Sequence, residues 1–190
     1  MPVQRGTRDK SRRSHPGKGA SPKPRQQAPA SAPSHAPQRK PGAELQRLDV
    51  FVGSWRIEGD QLESPLGPAA KVDLTEHWEW LPGGFFLVNR LNGHIGTEAA
   101  ACVEVLGYDN EAGNYVMHSY YSDGHRSEWL VREKEGTWTY AGTWDTGAAL
   151  YKIRCTQVLG PAGDTINSKW EYAGDGSPWK VYWDVKATRS

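Results

Sequence analysis

Residues 179–186 read Trp179-Lys180-Val181-Tyr182-Trp183-Asp184-Val185-Lys186 and alternate between two kinds of side chain. Neighbouring side chains on a β-strand point to opposite faces of the sheet. The alternation therefore predicts one strand with two faces, the first carrying Trp179, Val181, Trp183 and Val185 and the second carrying Lys180, Tyr182, Asp184 and Lys186.

Nine further segments precede this strand, each rich in aromatic and β-branched residues and each bounded by Gly, Asp or Pro. Short segments at regular spacing are typical of an all-β protein built from hairpins. Leu81-Pro82-Gly83-Gly84 fits a type II turn, and Asp123-Gly124 fits a tight hairpin turn. We therefore predict ten antiparallel strands, at about residues 53–60, 70–80, 85–92, 98–107, 114–122, 125–133, 136–145, 148–158, 165–173 and 178–188.

A row of ten strands has two edges with unpaired backbone groups and an aromatic face that needs cover. One short helix is available, near the start of the folded region, where Leu45, Leu48 and Val52 recur at helical spacing. The sheet must therefore cover itself by closing, which predicts a single up-and-down β-barrel with the helix plugging one end. A β-sandwich is the alternative, although hairpin links fit it less well than Greek-key links.

Residues 1–43 differ in composition from the rest of the chain. They contain no Trp, Tyr, Phe, Leu or Ile, but eight Pro, five Ser and ten Lys or Arg against one acid, Asp9. Such a segment has too little apolar surface to offset the entropy of ordering it, so we expect a disordered basic tail followed by a barrel domain at residues 44–190. The tail has no aromatic residue to stack on bases, which argues against nucleic acid as a partner.

The chain carries no pattern that indicates export or membrane insertion. Its basic start is followed by Pro, Ser and Arg, and no apolar run reaches the roughly 18 residues of a membrane helix. Cys102 and Cys155 are too few for a disulfide framework and lack the spacing of metal ligands. We therefore expect a cytoplasmic protein with free thiols and no metal, and the sequence leaves its oligomeric state open.

The two ends of the folded region resemble the calycin superfamily, which includes the lipocalins and the fatty-acid-binding proteins. Gly53-Ser54-Trp55 follows the short helix, and Lys186 and Arg189 lie at the end of the last strand. In that superfamily a Gly-x-Trp tryptophan stacks beneath a basic side chain of the final strand, and indole faces attract cations. The resemblance implies that Gly53, Trp55, Lys186 and Arg189 close one end of the barrel.

A longer pattern is more specific. It comprises, in this order, Leu48-Asp49-Val50-Phe51-Val52-Gly53-Ser54-Trp55-Arg56, Trp78-Glu79-Trp80-Leu81-Pro82-Gly83-Gly84-Phe85-Phe86-Leu87, Leu106-Gly107-Tyr108-Asp109 and Trp183-Asp184-Val185. Together these segments look like the bacterial family called domain of unknown function 1579, and the resemblance spans nearly all of residues 44–190. It implies a lipocalin-like barrel and no particular activity.

Nitrobindins, a related barrel family, bind haem through a histidine near the C-terminal end. The last histidine of this chain is His125, so the residue that would ligate iron by that route is missing. No nucleophile elbow, phosphate loop, H-E-x-x-H or Cys-x-x-Cys motif occurs either. The sequence therefore predicts no cofactor.

An aromatic inner face with a few polar groups suits a flat, apolar ligand. Glu76 shares a strand face with Trp78, and a carboxyl buried there has a raised pKa and becomes a candidate acid, base or ligand anchor. Arg90, His118, Tyr120 and Glu128 also interrupt apolar strands, but alternation does not decide which face they occupy, and pairing on the outer wall is the alternative. The candidate ligand-binding residues are Glu76, Trp78, Arg90, His118, Tyr120, Trp129, Trp138, Tyr140, Trp170 and Trp183.

Three functions are compatible with these patterns. The leading hypothesis is a protein that binds a small hydrophobic or aromatic molecule in a barrel cavity. The first alternative is a small enzyme of the isomerase, cyclase or hydrolase type that uses Glu76 with a histidine or tyrosine, an analogy at the level of fold. The second is a protein-interaction module tethered by the basic tail.

Overall fold

A computed structural model describes residues 40–190, which form a short α-helix, α1 (Ala43–Gln46), a 3₁₀ turn (Arg47–Val50) and ten strands. The strands are β1 (Gly53–Gln61), β2 (Ala70–Trp80), β3 (Phe86–Ile95), β4 (Glu98–Asp109), β5 (Asn114–Tyr121), β6 (Arg126–Lys134), β7 (Thr137–Asp145), β8 (Leu150–Leu159), β9 (Thr165–Ala173) and β10 (Lys180–Arg189). The sequence predicts that the basic tail is disordered and argues against nucleic acid as its partner. Residues 1–39 of that tail lie outside the described residues. The helix begins at Ala43, just before the predicted start of the domain.

The strands form one closed antiparallel barrel. Each strand pairs with its neighbours along the chain, and the barrel closes where β1 pairs with β10. The closing register runs from Trp55 opposite Arg189 to Gln61 opposite Trp183. The prediction of an up-and-down barrel is therefore confirmed, and the strand bounds differ from those predicted by no more than three residues.

The segment from α1 to the start of β1 covers one end of the barrel. Leu48 and Trp55 have no exposed surface, and Phe51 is almost fully buried beside them. The Trp55 indole Nε1 donates a hydrogen bond to the Phe51 carbonyl oxygen at 2.7 Å. Of the three residues at helical spacing, Leu45 and Leu48 are buried in this segment and Val52 is half-buried, so the short helix lies at one end of the barrel, as predicted.

The cation over Trp55 comes from Arg189. Its guanidinium carbon lies 4.2 Å from the centroid of the Trp55 ring. Lys186 was expected to share in this closure, but it is exposed and paired in register with Glu58 on the opposite face of β10. Lys186 and Arg189 are three positions apart, and side chains alternate along a strand. Lys186 therefore points outward, whereas Arg189 points inward.

Two strand glycines allow the backbone of a neighbouring strand to approach closely. At Gly93, where φ is +148°, a Cβ atom would lie 2.3 Å from the Asp73 carbonyl oxygen and 2.7 Å from the Leu74 Cα. At Gly59 a Cβ would lie equally close to the Asp184 carbonyl oxygen. Such close approach of backbone to backbone accommodates only glycine.

None of the helices among residues 40–190 has the length and apolar character needed to cross a membrane.

Candidate functional site

A cavity of about 380 Å³ lies inside the barrel. Phe51 and Trp78 form its floor near α1, whereas Leu66, Glu98 and Asp123 belong to the loops and strand ends at the opposite end. The cavity therefore opens away from the helix. Its volume falls within the range of small-molecule sites, roughly 300–1,000 Å³.

Aromatic rings make up much of the cavity wall. The aromatic lining residues above the floor are Tyr121, Trp129, Tyr140, Trp144, Trp170, Tyr182 and Trp183. Several of these rings are fixed by one another, since the Trp170 centroid lies 5.4 Å from that of Trp129 and 6.1 Å from that of Tyr140. The wall is therefore a preformed stacking surface.

One side of the cavity carries a line of hydrogen-bonded polar side chains, which we call the polar row: Glu76, Asn89, Glu104, Ser119 and Trp129. Asn89 Nδ2 donates to Glu76 Oε2 at 3.2 Å and to Glu104 Oε2 at 3.0 Å. Ser119 Oγ donates to Glu104 Oε1 at 2.8 Å and accepts from Trp129 Nε1 at 3.0 Å. The five residues come from five consecutive strands, β2 to β6.

The strand register explains why these residues meet. Asn89 is directly opposite Glu104, and Glu104 is directly opposite Ser119. Residues directly opposite each other on antiparallel strands bring their side chains to the same face at short distance. The row is thus built by backbone pairing, and its members point inward together.

Burial changes the acidity of both carboxyl groups. Burial, followed by the negative charge of Glu104, raises the pKa of Glu76 to about 7, although hydrogen bonds from the Trp78 and Asn89 side chains act in the opposite direction. Burial also raises the pKa of Glu104, against the hydrogen bonds from Asn89 and Ser119. Glu104 accepts hydrogen bonds on both oxygens, whereas Glu76 accepts one from Asn89. Glu76 therefore exchanges its proton near neutral pH.

The charge of the cavity lining has one sign. Its titratable carboxyl groups are those of Glu76, Glu98, Glu104 and Asp123, and none of the described lining residues is Lys, Arg or His. Within residues 40–190, no group of three His, Cys, Asp or Glu side chains is arranged to hold a metal ion.

The structure brings together most of the residues predicted for the interior. Glu76, Trp78, Trp129, Tyr140, Trp170 and Trp183 line the cavity. Trp138 faces inward as well, but it is packed against Phe51 in the closed end, with 5.0 Å between ring centroids. Trp138 therefore belongs to the packed core below the cavity.

Arg90, His118 and Tyr120 lie on the outer wall, the alternative that the sequence left open for them, so these three candidates are not part of the cavity. The Arg90 guanidinium pairs with Glu79, and His118 Nδ1 lies 3.7 Å from Glu128 Oε2. Tyr120 is 54% exposed. The neighbours of these residues, Asn89 and Ser119, point inward in their place, because adjacent positions on a strand face opposite sides.

The last strand also departs from simple alternation. Its register with β9 shifts between Val181 and Trp183, and as a result both Tyr182 and Trp183 line the cavity. Tyr182 was expected on the outer face. Trp179 was expected on the inner face, but it lies under the Arg154 guanidinium, 4.4 Å from the ring centroid to the guanidinium carbon, and is exposed.

Three members of the polar row were missed from the sequence: Asn89, Glu104 and Ser119. Each has apolar or aromatic residues two positions before and after it, namely Leu87 and Leu91, Cys102 and Leu106, and Met117 and Tyr121. A polar residue at the centre of such a triplet shares the face of its two flanking residues. His118 is flanked in the same way by Val116 and Tyr120 and yet lies on the outer wall, so this signal alone does not decide which polar residues face the interior.

Comparison with known proteins assigns the chain to a family. Residues 40–171 match the family described as protein of unknown function (DUF1579). The chain belongs to this family. The matched part of this DUF1579 protein includes the whole polar row and ends in β9, and the resemblance to the family predicted from the sequence motifs is confirmed. A comparison with curated proteins gave no match.

Proposed function

We propose that this DUF1579 protein binds a small, mostly aromatic molecule in its barrel cavity. The observation that carries the proposal is a preformed cavity of about 380 Å³ with aromatic walls and an open end. Large, rigid rings offer contact area while losing little conformational freedom when a ligand binds.

Hydrogen bonds hold part of the aromatic wall in position. The Trp183 indole Nε1 donates to Gln61 Oε1 at 2.7 Å, and the Trp129 indole Nε1 donates to Ser119 Oγ. Rings held in this way keep their orientation in the absence of a ligand. They therefore give a flat molecule fixed surfaces against which to stack.

Titration with the neutral dye N-phenyl-1-naphthylamine tests the proposal. We expect the dye emission to rise in the full chain and the tryptophan emission to fall, because the dye enters a wall that contains several indoles. Ala100→Phe should weaken this binding, since Ala100 lines the cavity on β4 and a phenyl ring there fills space. Ala141→Phe is the matched control, because Ala141 is exposed on β7.

Two outcomes would contradict the binding role. The first is no change in dye or tryptophan emission with the unmodified chain. The second is equal binding by Ala100→Phe and by the unmodified chain, which would place the dye on the outer surface.

One observation favours a catalytic role for the same cavity as a second candidate. A carboxyl group whose pKa is about 7 can both accept and donate a proton near neutral pH, as an isomerase requires. Tyr140 is the lining residue that would assist Glu76. In that case Glu76→Gln should abolish turnover of a bound compound while leaving its dissociation constant nearly unchanged.

A further inference from the structure

We propose that the ligand carries a protonated nitrogen that binds at the Glu76–Glu104 pair while its aromatic part lies against the indole walls. This inference rests on the proposed binding function and names the chemical class of the ligand. An aromatic or arylalkyl amine belongs to this class. A fatty acid or another carboxylate does not.

The first support is the geometry of the two carboxyl groups. One Oε atom of each lies within 3.2 Å of the same Asn89 nitrogen, so the two groups face one site on the cavity wall. Glu76 accepts a hydrogen bond from Asn89 and is approached by the Trp78 indole, and a carboxylate with about four acceptor positions keeps capacity for a ligand N–H. An ammonium group has three N–H donors and fits such a paired acceptor.

The second support is the absence of a counter-ion among the described lining residues. No Lys, Arg or His of the described chain faces the cavity, and no basic side chain acts on the acidity of Glu76 or Glu104. A buried charge without a partner is strongly unfavourable. A cation on the ligand would supply the missing partner, whereas a second anion would be repelled.

The third support comes from the surroundings of the pair. Trp78, Trp129 and Trp170 line the same cavity, and indole rings attract organic cations, more strongly where water is excluded. Asn89 Oδ1, on a side chain with no exposed surface, has no hydrogen-bond partner among the described residues. The polar network is thus incomplete within the described chain.

Three compounds with one ring system test the charge requirement. At a pH near 7.5, 1-naphthylmethylamine is a cation, 1-naphthalenemethanol is neutral and 1-naphthoic acid is an anion. Isothermal titration calorimetry on the full chain should show the amine binding about tenfold more tightly than the alcohol, with the acid weakest. Glu76→Gln should lower the amine-to-alcohol ratio severalfold, because it removes one of the two carboxyl groups of the pair. Glu128→Gln, on the outer wall with its side chain 73% exposed, should leave the ratio unchanged.

Each result decides between the two proposals. If the alcohol binds as tightly as the amine to the unmodified chain, the cationic ligand class is overturned and the binding function stands. If none of the three compounds binds, the binding function fails and the inference fails with it. If Glu128→Gln lowers the ratio as much as Glu76→Gln, the preference comes from overall charge and the assigned site is wrong. Should Glu76→Gln not fold, the ratio in the unmodified chain decides.

Discussion

The guanidinium of Arg189 lies over the ring of Trp55, where the last strand of the barrel meets the first. The same side chain donates hydrogen bonds to the carbonyl oxygens of Val52 at 2.5 Å and Val50 at 3.1 Å. Val50 ends the 3₁₀ turn, and Val52 lies directly before β1. Arg189 of β10 therefore contacts both β1, through Trp55, and the segment that covers this end of the barrel, through Val50 and Val52.

Removal of the Arg189 guanidinium should destabilise the barrel. We expect Arg189→Ala to lower the free energy of unfolding by about 2 kcal/mol, because a cation–π contact and two charge-assisted hydrogen bonds are lost. Arg189→Lys should recover only part of the loss, since an ammonium group cannot reproduce the planar fork. Urea denaturation measures both values.

Lys186→Ala is the control for this prediction, because Lys186 is an exposed cation on the same strand that faces outward. Its effect should stay within about 0.5 kcal/mol. A larger loss for Lys186→Ala than for Arg189→Ala would show that the closing contact is not the one described.

A methyl group at Gly93 should disrupt the barrel. Because the added Cβ would lie 2.3 Å from the Asp73 carbonyl oxygen, the backbone must shift, and we expect Gly93→Ala to cost about 3 kcal/mol or more. At Gly174 the nearest atom to an added Cβ is 3.6 Å away, so Gly174→Ala should cost less than about 1 kcal/mol. Thermal unfolding of both variants checks the difference, and equal melting temperatures would contradict it.

The ten strands and their closure could be predicted from the sequence because two simple patterns agree. Turn residues recur at regular spacing, and aromatic residues alternate clearly in segments such as Trp138 to Trp144. Glu76 was placed inside by the same alternation, since Leu74 and Trp78 flank it at two-residue spacing. Where one face of a strand is uniformly apolar, the sequence alone shows which face points into the barrel.

The rest of the site could not be assigned because neighbouring positions carry similar residues. In β3 the sequence Leu87-Val88-Asn89-Arg90 pairs two apolar residues with two polar ones, and in β5 His118-Ser119-Tyr120 offers three polar groups in succession. Pairing with the adjacent strands decides which of these point inward. The shift of register in β10 is likewise a property of two paired strands, so Tyr182 gave no signal of its own.

Loss of the Ser119 hydroxyl should weaken the polar row. In Ser119→Ala the Trp129 indole N–H loses its acceptor and Glu104 loses a donor, both in the barrel interior. An unsatisfied buried polar group costs about 1–3 kcal/mol, so we expect a loss of that size in the free energy of unfolding. Ser122→Ala, at an exposed position on the cavity rim, should change stability by less than about 0.5 kcal/mol. Equal losses in the two variants would show that the row adds no stability.

Glu76 should make the protein less stable as the pH rises. A salt-bridged carboxyl, whose pKa is lowered, has the opposite effect. The pKa of Glu76 is about 7 in the folded chain and 4.5 in the absence of burial, so the folded state binds more protons between these values. The stability linked to this proton is complete below about pH 4.5 and is lost as the pH rises through 7. The full loss is on the order of 3 kcal/mol.

Comparison of Glu76→Gln with the unmodified chain isolates this effect from that of other titrating groups. Glutamine keeps an acceptor for Asn89 but cannot ionise, and the other titratable groups around this carboxyl, Glu104 and Tyr140, are unchanged. Urea denaturation from about pH 5 to about pH 8.5 should therefore show the unmodified chain losing stability relative to Glu76→Gln as the pH rises. The exposed variant Glu128→Gln should follow the unmodified chain. Parallel curves for Glu76→Gln and the unmodified chain would mean that Glu76 ionises as it does in water, and that the carboxyl pair is open to solvent.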